Sequence, residues 1–187
     1  ITMPFSSTAS PRSVLRTRFL ALDAISEADR QRWHDLAART CHWNPFQLPE
    51  FVLPSGRYLA DGRPLAILVV DDPVTDQWLA VMAVQPHHCR WDLPLSHAAA
   101  LRTRHTFRTG PLVDGERVAE TLDCLLGSLS QHPGARHGLE LPLLRLDSIL
   151  ARELQAAARR GGYGWHVSDE LPCPAVFPQI VTAEYLD

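Results

Sequence analysis

The densest group of side chains able to do chemistry is Arg102, Arg104, His105 and Arg108. On an extended segment the side chains at 102, 104 and 108 project from one face, so three guanidinium groups could converge there on a carboxylate or a phosphate. Ordinary solvated strand or loop residues are the competing reading. Should the segment line a cleft for an acceptor substrate, His105 and Arg108 are the residues expected to meet it.

Two other sets carry less. His87-His88-Cys89 and the distant Cys41-His42 are zinc-ligand types, but no helical histidine pair and no C-x-x-C accompanies them, so no metal is expected. Cys124 with His105 would begin a cysteine hydrolase, yet Cys124 falls on the apolar side of a leucine-rich helix and reads as an inert core thiol. With Cys41, Cys89 and Cys173 it is expected to stay reduced. Trp33, Trp43, Phe46 and Trp91 read as core and loop anchors rather than base-stacking platforms.

Composition bounds the rest. A chain of 187 residues lies within the range of about 50 to 250 for one domain. It is long enough to bury a core without disulfides or a structural metal. A net charge of −3 argues against a protein that coats nucleic acid or anionic membrane. All 18 basic residues are arginine, which removes Schiff-base chemistry and a P-loop lysine. The apolar runs 65–70 and 79–84 fall far short of the roughly 20 residues that cross a bilayer. Arg12, Arg16 and Arg18 break up the N-terminal region, so it lacks a signal-peptide core. Neither a nucleic-acid nor a membrane partner is expected, and the cytoplasm is the default compartment.

The elements that must position the arginines follow from periodicity and turn chemistry. Residues 1–13 read as a flexible leader and 14–187 as a single domain. Residues 14–22 alternate as a strand. Ser26 and Asp29 then make a capping box that opens a helix with Trp33, Leu36, Ala37 and Thr40 on one face. Asn44-Pro45-Phe46 turns the chain, and a helical piece over 49–59 follows, which Pro54 and Gly56 should break or kink. Strands at 65–70 and 78–84 flank the polar segment 71–77 as an antiparallel hairpin, and a third strand is expected over 101–109.

Asp114-Gly115 introduces a helix bearing Val118, Leu122, Leu125, Leu126 and Leu129 at three- and four-residue spacing. A short strand at 139–144, a helix over 148–160 stopped by Gly161-Gly162, and a strand at 163–167 complete the chain. The order predicts an α/β protein of the α+β kind: a mixed, mainly antiparallel sheet of about six or seven strands flanked by about four helices.

This order is similar to the core topology of the GNAT superfamily of acyl-CoA N-acyltransferases. Five pieces resemble the CelD-like, cellulose-biosynthesis-type acetyltransferases, relatives of the FemAB-type transferases. They are Trp33-x-x-Leu36, Asn44-Pro45-Phe46-x-x-Pro49-Glu50-Phe51, Ala83-Val84-Gln85-Pro86, His105-x-Phe107-x-x-Gly110-Pro111-Leu112-Val113-Asp114 and Leu139-Glu140-Leu141-Pro142. In order and spacing they cover about residues 14–170. The resemblance implies a longer protein of two GNAT-like halves, of which this is the N-terminal one, with the acetyl-CoA machinery in the other.

GNAT proteins hold the CoA pyrophosphate on amides at a helix N-terminus, through a loop of the form Q/R-x-x-G-x-G/A. In the corresponding segment, 110–116, Pro111 removes an amide donor and the glycine spacing differs. Asp114 and Glu116 stand where the phosphates would sit, and both read as helix caps. Arg159-Arg160-Gly161-Gly162-Tyr163-Gly164 matches the loop by letter but closes a helix, where carbonyls repel phosphate, so it reads as a glycine stop.

The expectation is therefore a scaffold or acceptor-recognition half with a degenerate CoA loop, binding no cofactor alone. The complete enzyme would transfer an acyl group from acetyl-CoA to an amine. Its partner would be the C-terminal GNAT half or a GNAT-like subunit. The alternative is a non-catalytic interaction module that pairs through a sheet edge, with itself as a homodimer or with a GNAT-like subunit.

Overall fold

A computed structural model describes residues 14–60, 64–87, 95, 97–132, 135 and 137–172, of which the backbone alone is described at His87. In chain order the elements are β1 (Arg16–Ala21), α1 (Glu27–Ala38), α2 (Pro49–Tyr58), β2 (Ala66–Asp72), β3 (Gln77–His87), β4 (His97–Ala100), β5 (Leu112–Val113), α3 (Val118–Gln131), β6 (Leu139–Glu140) and α4 (Ile149–Arg160). The strands form a six-stranded sheet ordered β1-β2-β3-β4-β6, with β5 also on β3. Among the described residues only β4 and β6 pair in parallel, Ala98 opposite Leu139 and Ala99 opposite Glu140. The expected mixed, mainly antiparallel sheet with four helices is the architecture of the described residues.

Both faces of the sheet are covered, which explains why β2 and β3 read as continuous apolar runs rather than alternating ones. Leu68, Val70, Ala80 and Met82 pack with Leu122, Leu125, Leu150 and Leu154 of α3 and α4. Ile67, Val69, Val81 and Ala83 face Trp33, Leu36, Val52 and Leu53 of α1 and α2. A register shift at Val70/Asp71 turns Trp78 to this second side, where its ring lies 6.0 Å from Trp33. The Ser26–Asp29 capping box at the start of α1 is formed as expected.

Four expectations need correction. First, α2 runs unbroken through Pro54 and Gly56. Pro54 sits one turn in, where its missing N–H forfeits only the bond to the Glu50 carbonyl. Gly56 meets a need for space, because a Cβ there would lie 2.5 Å from Leu65 Cδ2 and 2.9 Å from Leu22 Cδ2.

Second, residues 101–109 are not a strand. β4 and β5 are two collinear pieces on one edge of β3: Ala100 lies opposite Val84 and Leu112 opposite Val81. The intervening residues 102–111 leave the sheet and return to it. Third, the strand expected over 139–144 keeps only Leu139–Glu140, the two residues that find a partner on β4.

Fourth, residues 163–167 are irregular. Their apolar alternation meets no partner strand among the described residues. Gly162, at φ +71°, turns the chain off α4, with Tyr163 N–H bonded to Ala158 O at 2.8 Å and Gly162 N–H to Arg159 O at 3.2 Å. This is the six-to-one, five-to-two pattern of a Schellman stop.

Candidate functional site

The departure of 102–111 from the sheet creates a backbone problem and is solved by a side chain. Leu101 N–H still donates to Ala83 O at 2.9 Å, but the return bond is replaced: Ala83 N–H donates instead to Gln47 Oε1 at 3.3 Å. Gln47 is fully buried, and its carbonyl accepts the Trp33 indole N–H at 2.8 Å. The turn before it is held by Asn44, whose Oδ1 accepts the Phe46 N–H at 3.1 Å. Segment 39–47 is thus bound to the sheet at the point where 102–111 leaves it. Thr40 and Cys41 fasten its other end, through Thr40 Oγ1 and the Cys41 N–H on Val113 O at 3.0 and 2.9 Å.

A third segment, 141–148, closes the group. Thr109, almost fully buried, donates its hydroxyl to Pro142 O and its N–H to Leu143 O. Ser148 caps α4, accepting the Ala151 N–H at 3.1 Å and donating to Arg145 O at 2.6 Å. Just before it, Arg145 grips Asp147 through Nε at 2.6 Å and Nη2 at 2.9 Å.

These three segments bring together His42, Trp43, Phe107, Arg108, Arg145 and Asp147. Arg108 Nη1 donates to the Trp43 carbonyl at 3.3 Å, and Arg108 has no ion pair among the described residues. Burial, then the charges of Arg108 and Arg145, pushes the His42 imidazole below its ordinary pKa, with Asp147 acting the other way. Hydrogen bonds from Arg145, reinforced by the charges of Arg145 and Arg108, hold Asp147 below the usual carboxylate range. The same segments carry two exposed aromatics, Trp43 at 58% and Phe107 at 75%. Phe107 is propped edge-on against Phe46 at 5.8 Å, and Phe46 against Phe51 at 5.1 Å. The result is a fixed guanidinium with aromatic surface next to it, suited chemically to an anionic group on an apolar body.

Of the four residues singled out in the sequence, Arg108 alone joins this cluster. Arg102, Arg104 and His105 are exposed on the same excursion. Because no strand forms there, the expected convergence of 102, 104 and 108 on one face is lost. His105 belongs to a small turn in which its N–H donates to Thr103 Oγ1 at 3.2 Å and Thr106 Oγ1 accepts the Thr103 N–H at 3.0 Å. Sequence reasoning missed Arg145, Asp147 and the role of His42. It also placed Trp43 among the anchors, whereas its ring is largely in solvent. Nothing in the sequence around Thr109 marks this stretch as fastened to another loop, and its burial becomes visible only in the structure.

The remaining sets fall elsewhere. Cys124 is half-buried rather than a core thiol: its Sγ lies 3.3 Å from Thr17 Oγ1, which also accepts the Ser128 hydroxyl at 2.7 Å. It lines a depression of about 540 Å³ between β1 and α3 with Phe19 and His132, and none of the residues around Arg108 borders it. The size of a depression is a poor guide here, because the chemistry is concentrated on the three loops. Among the described residues no three His, Cys, Asp or Glu side chains are grouped to hold a metal. His88, Cys89, Trp91 and Cys173 lie outside the described residues, as does the side chain of His87.

Neither Asp114 nor Glu116 caps α3, which begins at Val118 with Arg117 in the cap position. Asp114 instead accepts Arg39 Nε at 2.5 Å and the Glu116 N–H at 2.9 Å. Arg117 bridges Asp72, at 2.6 Å, and Glu120. Among the described residues no helix is long and apolar enough to cross a membrane. No protein-family model and no curated protein matches the sequence.

Proposed function

We propose that the chain is the acceptor-recognition half of a GNAT-like, acyl-CoA-dependent N-acyltransferase whose acetyl-CoA is held by another half or subunit. The observation that carries this reading is the occupation of the α3 N-terminus. A pyrophosphate would need free amides and positive potential there. Asp72 and Glu120 converge on Arg117 at that end, and Asp114, almost fully buried, stands just before it on Arg39. These residues do not fit the phosphates of acetyl-CoA, and no acyl-transfer step is assigned to this chain alone. The parallel β4–β6 pair, joined through α3, supports the likeness of topology. The cluster around Arg108 gives the acceptor a place to bind.

Calorimetric titration with acetyl-CoA tests the division of labour. No heat of binding is expected from this chain at micromolar concentrations, and micromolar affinity would overturn the proposal. In an enzyme carrying both halves, Arg108→Ala should raise the KM for the acceptor and leave CoA affinity unchanged.

The interaction-module alternative has one observation of its own. Among the described residues β1 pairs only with β2, which leaves its other edge without a strand, but Arg16 and Arg18 lie along it. Charged edge residues discourage strand pairing between copies.

A further inference from the structure

We propose that Arg108, flanked by His42 and Arg145 and bordered by Trp43 and Phe107, binds a carboxylate carried on an aromatic or otherwise apolar body. The inference deepens the acceptor-recognition reading by naming the ligand class, but it stands on the geometry of the three loops and is tested without CoA.

Charge count selects the class. Arg145 is already neutralised by a two-point bond to Asp147, and His42 is held toward its neutral form by burial and by the two guanidinium groups. The positive charge of Arg108 has no ion-pair partner among the described residues. A single guanidinium fork matches a single carboxylate in charge and in planar geometry. A phosphate dianion would need a second free cation, and Asp147 would repel it.

The fork is also preorganised. The Trp43 carbonyl holds one Arg108 nitrogen, and the Thr109 bonds to Pro142 and Leu143 hold the backbone beside it. Less side-chain freedom is therefore lost on binding. The aromatic surfaces supply the second half of the argument. Phe107, one residue before Arg108, is exposed and fixed edge-on against Phe46, and Trp43, whose carbonyl Arg108 holds, is exposed as well, so both offer apolar contact to whatever the carboxylate is attached to.

The probe is sodium phenylacetate, titrated into the full chain and followed by the NMR signals of the His42 ring and the Arg108 Nε–H. Saturable shifts with a millimolar or tighter Kd are expected, together with a rise in the His42 pKa as the carboxylate offsets the nearby positive charge. Arg108→Ala should weaken binding about tenfold or more, the loss expected for a charge-assisted hydrogen bond. Asp147→Asn should tighten it by removing the carboxylate that repels a bound anion, an outcome that damage to folding cannot mimic. Acetate should bind more weakly than phenylacetate, and Phe107→Ala should narrow that difference.

Shifts that stay linear to the highest concentration, unchanged affinity in Arg108→Ala, or tighter binding of inorganic phosphate than of phenylacetate would each overturn the proposal. The acetyl-CoA titration is read separately. A chain that binds both phenylacetate and acetyl-CoA keeps this site and loses the division of labour, whereas one that binds neither loses this site alone.

Discussion

Gln47 Oε1 accepts the N–H of Ala83 at 3.3 Å, standing in for the carbonyl that a continuing strand would have offered. An isolated buried N–H costs about 1–3 kcal/mol, so Gln47→Ala should destabilise the fold by about that amount. Urea unfolding measures it. A loss below about 0.5 kcal/mol, the usual scatter for surface changes, would mean that water or a shifted backbone can replace the amide.

Gly56 presents a contest between two effects of opposite sign. Helix propensity favours Gly56→Ala by about 1 kcal/mol. The new Cβ would lie 2.5 Å from Leu65 Cδ2 and 2.9 Å from Leu22 Cδ2, and overpacking of this kind costs about 1–3 kcal/mol. Crowding should win, and the melting temperature should fall. A rise would show that both leucines can move aside without loss.

The displaced pKa of His42 makes stability depend on pH. Because burial and the neighbouring guanidinium groups lower it from its ordinary value of 6.5, the unfolded chain binds the proton more readily than the folded one. The contribution of His42 is therefore present above pH 6.5 and is lost as pH falls below it. His42→Gln should unfold in urea with a smaller difference between pH 7.5 and pH 5.5 than the unsubstituted chain. Equal differences would place the acid sensitivity elsewhere.

Arg39 ties the end of α1 to the approach to α3, through Asp114 Oδ2 at 2.5 Å and the Trp78 carbonyl at 2.9 Å. Replacing it with alanine leaves the nearly buried Asp114 without its charged donor, at a cost of about 2 kcal/mol. Arg39→Ala with Asp114→Asn should recover part of that loss, because the uncompensated charge is gone. A double-mutant cycle showing no coupling would contradict the pairing.

Features settled by nearby residues were legible from the chain alone. Ser26 and Asp29 cap α1, the leucine spacing marks α3, and 66–87 forms a hairpin, each within a few residues of its own signal. Elements that depend on distant partners were not. Residues 101–109 alternate only weakly, and the edge of β3 is taken by β4 on one side of the gap and β5 on the other. Tyr163, Trp165 and Val167 alternate too, with no described edge to receive them. The site suffered most, because His42, Arg108 and Arg145 come from three loops whose meeting rests on backbone bonds such as that from Thr109 to Leu143. Arg108 was identified, and its neighbours were not.

The departure and return of 102–111 along one edge of β3 separates two tasks that proteins often combine. The sheet is complete without those residues, since Gln47 already serves the vacated N–H. Closing a longer loop is cheap, each doubling of length costing only about 0.6 kcal/mol. Ligand preference can therefore drift by recutting this one segment while the scaffold stays as it is, so close relatives could share the frame and differ in what they recognise.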